Sequence, residues 1–569
     1  MPGNAVQIHL WPWSIGIQSE SIDVSDKENI NFPFYGTPVI SFPEGVSFFL
    51  DHRYERFTPF GSPYKSIEET HQVCESPNMD LNPSGPGYKG GFNGHLRLQT
   101  LKNESSTIRF IPQDARPRFE GKDGRSESPL YRSIEAWSQF FDDIIEESTI
   151  KGERTNQLSW SFIFDQIKNI QEPGKQPRMA LIIKISESMH RQIPLTVRSA
   201  RRVLKRKREM VPVDRLAEID MTCIRWQARQ PGKDAAEKAG FNNQALLGIA
   251  RRESFNTLEN RVLKDFLVRC SDEAKRYIKN EVGDIVALKD SQRYRQVRDF
   301  QNLCDELHKD ERFDGVKKPS TAIQANYVLQ NDARYRKVWK HYLKILRKEN
   351  EKDKVWDWQS RTWSDVARLL INVALFETTK EQGENKFNIE ELYRSTIRVT
   401  REQHLGSRVF PGSEPGPFFI YKSREQKNEG RILEIVHPDI MEKHPDTNAL
   451  GRLGGHLYLV LSPISTGPKT IIVVWSAHLA ATTNRLARDK NAITNSAKKA
   501  LANHINKLGR GESSSFIFKG LIIASDLEIE EPQLHESENI LFFRISADQR
   551  LWIDAIEYLK IHFLDILSQ

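Results

Sequence analysis

Short apolar runs separated by proline and glycine turns characterise the first part of the chain. Val39–Phe42, Val46–Leu50 and Leu96–Leu101 are such runs. Period-two runs bounded by turn residues are typical of strands. Residues 1–115 are therefore predicted to form a β-rich N-terminal domain. Four aromatic residues of this region are expected either in its core or in a partner-binding groove: Trp11, Trp13, Phe34 and Tyr35.

Residues 116–195 combine helical and strand-like patterns. Ile134–Glu147 places apolar residues at helical spacing, which predicts a helix. Trp160–Phe164 and Ala180–Ile185 are strand-like runs, and we interpret them as strands on either side of a Pro173-Gly174 turn. The segment is therefore predicted to be a mixed α/β connector.

Helical periodicity dominates from Ser199 to about Leu375, within a predicted helical domain of residues 196–405. In Asn256–Val268 the apolar residues fall on one helical face, and Asn256 or Thr257 can act as the N-cap. Tyr335–Leu346 and Trp363–Phe376 repeat the pattern with aromatic and aliphatic stripes. We predict a helical middle domain in which these stripes form the core.

Strand patterns return after residue 406, followed by helix, strand, strand and helix. A central mixed sheet flanked by helices satisfies that order, so residues 406–569 are predicted to form a C-terminal α/β domain. The fold class is accordingly α+β and multi-domain. The predicted strands are Pro417–Tyr421, Arg431–Val436, Leu457–Leu461, Thr470–Trp475, Phe516–Ala524 and Ile540–Ile545, and the predicted helices are Thr483–Leu508 and Leu551–Leu564.

Composition narrows the class of protein. The 569 residues carry a formal net charge of +7, and 38% of them are hydrophobic, so wholesale disorder is excluded. The cysteines form no CxxC pair, which argues against a disulfide framework or a zinc ribbon. The start of the chain lacks the pattern of a signal peptide, and no apolar run is long enough to span a membrane. We expect a cytoplasmic protein. The cysteines are Cys74, Cys223, Cys270 and Cys304.

The densest basic stretch is RSARRVLKRKR, from residue 198 to residue 208. Read as a helix, it can neutralise several phosphates without reading a base sequence. A solvated helix face and a docking surface for an acidic partner are the alternatives. The candidate nucleic-acid-binding residues are Arg198, Arg201, Arg202, Lys205, Arg206, Lys207 and Arg208.

Two segments resemble the middle region of bacterial proteins related to McrC, which are nuclease-like partners of McrB-type motor ATPases in defence loci. They are Pro194–Asp220 and Phe255–Leu267, and Asn256–Arg261 (NTLENR) is similar to the DTPENR helix start of that family. The resemblance covers the chain from Pro194 to the C-terminus. It implies a C-terminal restriction-endonuclease-like domain of the PD-(D/E)XK superfamily, with acids that hold Mg²⁺ and a lysine that orients water.

The residues at those positions depart from the family pattern. Gly454-Gly455-His456 stands where the first Asp is expected, and Ser476-Ala477-His478 replaces the acid-x-Lys. We predict a degenerate site and keep as catalytic candidates Glu434, His456, Ser476 and His478. The metal candidates are Glu434, Asp439 and Asp446, with Asp526 as a further acid after a strand.

The functional hypothesis is a DNA-binding, non-catalytic subunit of a prokaryotic anti-phage or restriction complex. The chain has no GxxxxGK[ST] loop, and the resemblance implies a separate motor NTPase as its partner. The cofactor is either none or Mg²⁺. An active Mg²⁺-dependent endonuclease with displaced acids, histidine-based chemistry and a pure interaction scaffold remain alternatives. RNA as the ligand is possible, although no RNP-like or KH-like signature favours it.

Overall fold

The computed structural model divides the chain into two compact units. The first consists of Met1–Glu172 and Asn350–Gln569, and the second of Pro173–Glu349. The boundaries of these two units differ from those of the four predicted domains. The division into four independent domains stays a prediction. The structure describes residues 7–14, 17, 20–23, 29–43, 47–50, 64–65, 70–75, 94–99, 105–120, 126–150, 157–171, 177, 180–283, 285–320, 323–357, 359–380, 388–393, 395–402, 406–409, 412–422, 429–450, 454–508 and 515–568.

The N-terminal part of the first unit is rich in strands, as predicted. Its strands are β1 (Gln7–His9), β2 (Ser21–Asp23), β3 (Asn29–Pro33), β4 (Val39–Pro43), β5 (Ser47–Leu50), β6 (Tyr64–Lys65), β7 (Thr70–Glu75), β8 (Gly94–Gln99) and β9 (Ser105–Gln113). They form two sheets, ordered β2-β1-β4-β7-β6 and β3-β9-β8-β5. The turn-rich stretch 82–93 lies outside the described residues.

The connector of the first unit is more helical than predicted. It contains β10 (Phe119–Glu120), β11 (Ser126–Glu127), α1 (Pro129–Ile150), β12 (Gln157–Leu158) and α2 (Trp160–Gln171). The strand prediction for Trp160–Phe164 is wrong because the buried residues of α2 recur every three or four positions, at 160, 163, 167 and 170.

The second unit is mostly helical. Its elements are α3 (Leu181–Met189), α4 (Gln192–Arg198), β13 (Val203–Pro212), α5 (Met221–Ala228), α6 (Ala235–Gly240), β14 (Ala245–Ser254), α7 (Leu258–Tyr277), α8 (Val286–Lys289), α9 (Gln292–Leu307), α10 (Tyr327–Asn331) and most of α11 (Ala333–Asp357). The predicted strand Ala180–Ile185 is wrong, since this segment forms α3. Thr257 is the N-cap of α7, where its side chain accepts a hydrogen bond from the Asn260 N–H.

The predicted basic helix is also wrong, because residues 203–212 form strand β13. All ten residues of β13 pair antiparallel with β14, from Val203 opposite Ser254 to Pro212 opposite Ala245. Lys, Arg, Leu and Glu favour helices locally. Here the backbone groups of the stretch are satisfied by a partner strand that lies more than thirty residues away, which a local pattern does not reveal. We call this two-stranded structure the β13–β14 ribbon.

In the C-terminal part of the first unit the predicted strands and helices follow one another in the predicted order, with the unpredicted strand β23 added before the last strand. It contains α12 (Gln359–Thr378), β15 (Asn388–Glu391), β16 (Ile397–Glu402), β17 (Gly406–Val409), β18 (Phe418–Tyr421), β19 (Arg431–Val436), α13 (Thr447–Leu450), β20 (Leu457–Pro463), β21 (Lys469–Ala477), α14 (Lys490–Lys507), β22 (Phe516–Asp526), β23 (Gln533–Ser537), β24 (Ile540–Ser546) and α15 (Trp552–Ser568). Helix α12 was assigned to the middle domain, but it belongs to this unit.

An eight-stranded mixed sheet organises this part, in the order β15-β18-β19-β20-β21-β22-β24-β23. Strands β21, β22 and β24 run parallel, and their neighbours pair antiparallel. The side chains of β21 alternate between two apolar clusters, with Ile472 and Val474 in one and Val473 and Trp475 in the other. The sheet is therefore buried on both faces. This explains its almost continuous apolar strands.

The N-terminal aromatics pack within the first unit. Trp11 and Trp13 stack with ring centroids 5.0 Å apart, and the Trp13 ring lies 5.5 Å from that of Trp475 in β21. The Trp13 indole N–H donates to Ser496 Oγ of α14 at 2.8 Å. Trp11, Trp13 and Phe34 are buried, so core packing is confirmed for them. No helix in the described part of the chain is both long and apolar enough to cross a membrane.

Candidate functional site

Polar side chains meet at one edge of the eight-stranded sheet, where β20 begins and β21 ends. The Ser476 N–H donates to Nδ1 of His456 at 3.2 Å, and the Ser476 hydroxyl lies 3.2 Å from the same nitrogen. That hydroxyl also lies 2.6 Å from the hydroxyl of Ser364 on α12. The two positions at which the family pattern expects acids are therefore neighbours in space. Both carry uncharged or weakly basic groups, and both are buried.

His478 lies just beyond the end of β21 in an aromatic enclosure. Its ring centroid is 5.6 Å from that of Trp137 and 6.4 Å from that of Trp363. One ring nitrogen bonds the Ser525 hydroxyl at 2.7 Å, and the other bonds the Gln359 side-chain oxygen at 3.1 Å. Complete burial lowers the pKa of His478 to about 3. The ring is therefore neutral near pH 7 and poorly matched to proton transfer at that pH.

Helix α12 adds a second buried polar group at this edge. The Arg368 guanidinium bonds His437, which follows β19, and donates to the Val409 carbonyl at 3.1 Å. It also lies 3.7 Å from the Asp365 carboxylate. All three charged or titratable side chains are buried. Together with Gln359 and Ser364, α12 covers the sheet edge with groups that satisfy its polar atoms.

Two of the predicted metal ligands, Glu434 and Asp446, lie beside His444. Glu434 is 44% exposed and lies 3.6 Å from His444 Nε2. Asp446 is paired with Lys469 at 2.6 Å and lies 3.9 Å from His444 Nδ1. The side chain of Asp439 lies outside the described residues. Among the described residues no group of three or more His, Cys, Asp or Glu side chains could hold a metal ion.

Asp526, the further acid considered, is fully buried at the end of β22. Its two oxygens face Arg488 at 2.6 Å and Arg544 at 2.5 Å. Glu528 donates its backbone N–H to the same carboxylate at 2.9 Å and pairs with Arg488. Two guanidinium groups thus occupy the positions that a cation would need, so this acid is part of an ion-pair network.

The basic residues of the β13–β14 ribbon are largely paired with acids. Arg206 and Arg251 share Glu218, Arg252 pairs with Glu209, and Arg208 pairs with Asp220. Hydrogen bonds from Arg208 hold the pKa of Asp220 well below its usual range. Of the other candidates, Arg201 pairs with buried Glu259, Arg202 with Glu253, and Lys207 with Glu209.

Two candidate DNA-binding residues of this stretch differ from the others because they have no acidic partner among the described residues. Arg198 ends α4 and Lys205 lies on β13, and both are exposed. Neither forms an ion pair with any residue that the structure describes. Exposed pairs such as those of the ribbon are worth about 0–1 kcal/mol each, so a phosphate can compete for the paired arginines as well.

The NTLENR segment has a structural role that the sequence did not specify. The Asn260 amide donates to the carbonyls of Arg201 and Phe255 at 2.7 and 2.8 Å, and its oxygen accepts from the Tyr335 hydroxyl at 2.7 Å. Glu259 bonds both Arg201 and Asn326. The segment therefore fixes the base of the ribbon against the start of α7 and α11.

One charged surface was missed by the sequence analysis. Helix α11 was interpreted only as a core stripe, yet residues 333–348 contain seven basic residues and no acid. Counting charge within the helical period, in addition to apolar spacing, could have found it.

This chain is similar in part to a protein family and to a solved complex. Residues 161–342 match a family described as a domain of unknown function, DUF2357. No curated protein matches the chain. Among solved structures, the chain is similar to a refined half-complex of McrB AAA+ hexamers with bound McrC from Thermococcus gammatolerans, at 9% identity over 81% of this chain and 80% of that chain. The TM-score is 0.19, which carries no argument about fold.

Proposed function

We propose that the chain is a DNA-binding, non-catalytic subunit of a prokaryotic anti-phage or restriction complex, located in the cytoplasm. The observation that carries this proposal is the contact between His456 and Ser476. These residues occupy the two positions that the McrC resemblance assigns to metal-binding acids. Their side chains are buried beneath α12, out of reach of a polynucleotide.

The donor set at the sheet edge does not fit Mg²⁺. This ion requires oxygen ligands with anionic character in near-octahedral geometry. Among the described side chains at the edge, Ser476 and Ser364 are neutral hydroxyls. The Asp365 carboxylate faces Arg368, and Asp526 is paired with two arginines. We therefore assign no metal-dependent step to this site. The domain acts, in this proposal, as a restriction-endonuclease-like scaffold.

DNA binding is supported by the basic residues at the base and along one strand of the ribbon. Arg198, Arg202, Lys205, Arg206 and Lys207 are exposed. Contacts of this kind fix a protein on the phosphate backbone and give a steep dependence on salt. They carry no base recognition, so the proposal includes no sequence specificity.

A motor NTPase is the proposed partner. The absence of a GxxxxGK[ST] loop from the sequence and the resemblance to McrC-related proteins support this part of the proposal. This part of the proposal predicts that the chain forms a stable complex with an AAA+ protein encoded beside it.

The test measures DNA binding and cleavage by the purified chain with Mg²⁺ or Mn²⁺ and with EDTA, across a salt series. The ribbon variant changes Arg202, Lys205, Arg206 and Lys207 to Gln. Arg201 is left intact because its loss strands the buried Glu259 carboxylate. Salt-sensitive binding without cleavage is expected. Metal-dependent cleavage would overturn the non-catalytic assignment.

A protein-interaction scaffold is the second candidate function. The ribbon and its connecting helices α5 and α6 expose several large apolar side chains, and most ribbon cations already have acidic partners. Such a surface suits a protein partner. DNA affinity no stronger than that of a control protein of similar charge would favour this function. The exposed residues are Leu204, Met210, Val213, Ile219, Met221, Ile224 and Phe241.

A further inference from the structure

Helix α11 carries a cluster of exposed positive charge. Five of its basic side chains are exposed, and none forms an ion pair within the part of the chain that the structure describes. At 3.6 residues per turn they fall within an arc of about 100°. Their span along the helix axis is roughly 16 Å. The five residues are Arg336, Lys337, Lys340, Lys344 and Arg347, and we call this surface the α11 basic face.

The opposite side of α11 is fixed in the core, which holds the basic face in place. Tyr335, Val338, Tyr342 and Ile345 are all buried in the helical core of the unit. The Tyr342 hydroxyl donates to Asp265 on α7 at 2.8 Å. Because the helix is anchored along its length, binding a ligand on the basic face costs little ordering of the backbone.

His341 lies among the lysines of this face. Its ring lies 3.0 Å from the Ser188 hydroxyl on α3 and is partly buried. Burial lowers its pKa to about 4, and the charges of Lys344, Lys340 and Lys337 act in the same direction. The three lysines therefore add to the effect of burial in keeping this ring neutral near pH 7.

We propose that the α11 basic face binds the phosphodiester backbone of duplex DNA. This inference rests on the proposed function, since it names a DNA-binding surface distinct from the β13–β14 ribbon. A single strand of duplex DNA carries one phosphate per 3.4 Å of axis. A face of roughly 16 Å laid along the duplex axis therefore spans about five phosphates of each strand.

The composition of the face favours a duplex over other polyanions. Single-stranded nucleic acids are bound largely by stacking bases on aromatic rings. The aromatic side chains Tyr335 and Tyr342 of α11 are 1% exposed, and Trp339 packs partly buried against the same core, so the helix offers little stacking surface. A membrane-bound amphipathic helix inserts its apolar face. Here the apolar face of α11 is already covered by the core.

The experiment compares three variants of the full chain that each lose four positive charges. The α11 variant changes Lys337, Lys340, Lys344 and Arg347 to Gln. The matched control changes Lys279, Lys289, Lys309 and Lys318 to Gln, all exposed lysines elsewhere in the same unit without ion pairs among the described residues. The third is the ribbon variant. Because the substituted side chains are exposed, the folded state is retained, and thermal unfolding checks this.

Binding to a fluorescent DNA duplex is measured across a salt series. The α11 variant is expected to bind at least about tenfold more weakly, with a slope of log K against log salt shallower by roughly 3 to 4. The control variant should retain the wild-type slope and lose at most about threefold. Unlabelled RNA duplex and polyglutamate serve as competitors and should compete more weakly than DNA.

The outcomes separate this inference from the proposed function. If wild type binds DNA and the α11 variant behaves like the control, the inference is overturned while the proposed function stands. If wild type binds no better than a control protein of similar charge, the proposed function fails. Competition by RNA or polyglutamate as strong as that by DNA overturns the assignment of the α11 basic face to DNA.

Discussion

Acidification should destabilise the first unit through His478. The ring is completely buried, and its pKa is about 3 in the folded chain, against about 6.5 when it is exposed. Between these pH values the unfolded chain binds a proton that the folded chain does not. The contribution of the neutral His478 ring to the free energy of unfolding is therefore fully present above about pH 6.5, and it falls as the pH decreases towards 3. Linkage gives a loss of roughly 2 kcal/mol from this one group between pH 8 and pH 5.

The assay is urea unfolding followed by tryptophan fluorescence, at pH 8, 7, 6 and 5, on wild type and on His478→Gln. A glutamine amide can keep one donor for Gln359 and one acceptor for Ser525 while removing the titration. The difference in unfolding free energy between the two proteins should narrow by roughly 2 kcal/mol as the pH falls to 5. A parallel loss of stability in both proteins would show that His478 does not titrate in this way.

A second measurement protects this test against a variant that fails to fold. Calorimetric unfolding of wild type at pH 5, in buffers of different ionisation enthalpy, counts the protons taken up. On unfolding at this pH, wild type should take up about one proton more than the His478→Asn variant. Equal proton uptake by the two proteins contradicts the pKa argument.

Three further substitutions test the packing that holds the proposed sites. Asn260→Ala should lower the free energy of unfolding by roughly 2–4 kcal/mol. The Tyr335 hydroxyl and two carbonyls at the ribbon base would lose their hydrogen-bond partner. Unfolding of the second unit measures this loss. Asp526→Asn should lower the free energy of unfolding by roughly 3–5 kcal/mol, because two arginines lose the carboxylate that they share. An unchanged melting temperature would refute the stabilising role of this ion-pair network. Gly36→Ala should be poorly tolerated, since the added Cβ would lie 1.9 Å from the His478 carbonyl oxygen at a φ of +88°. Normal expression and unfolding of that variant would show that the N-terminal segment does not pack against β21 as described.

The C-terminal sheet was predictable because its strands are buried on both faces. Continuous apolar runs such as Leu457–Leu461 and Thr470–Trp475 have few alternatives to a central strand. Strand β23 was not predicted. Its sequence, QLHES, has no long apolar run, since it lies at the sheet edge and pairs only with β24.

The ribbon could not be predicted from local sequence. Residues 203–212 are rich in helix-favouring side chains, and the strand forms because a distant segment pairs with every residue. The alternation that normally marks a strand is lost because nearly all the side chains of β13 are exposed or only partly buried.

For His456 and Ser476 the adjoining strands could be predicted, but the side chains that surround these residues could not. The sequence placed His456 and Ser476 at the ends of neighbouring strands, and the structure brings them into contact. It could not indicate that Ser364 and Gln359 come from α12, since that helix was assigned to another domain. The pairing of Asp526 with two arginines depends on long-range contacts in the same way.

DNA binding and cleavage by the purified wild-type chain, with Mg²⁺, Mn²⁺ or EDTA over a salt series, tests the central claim most directly. The account predicts binding that weakens steeply as salt rises and is equal with metal and with EDTA, and no cleavage product under any condition. Cleavage that appears with metal and disappears with EDTA would contradict it.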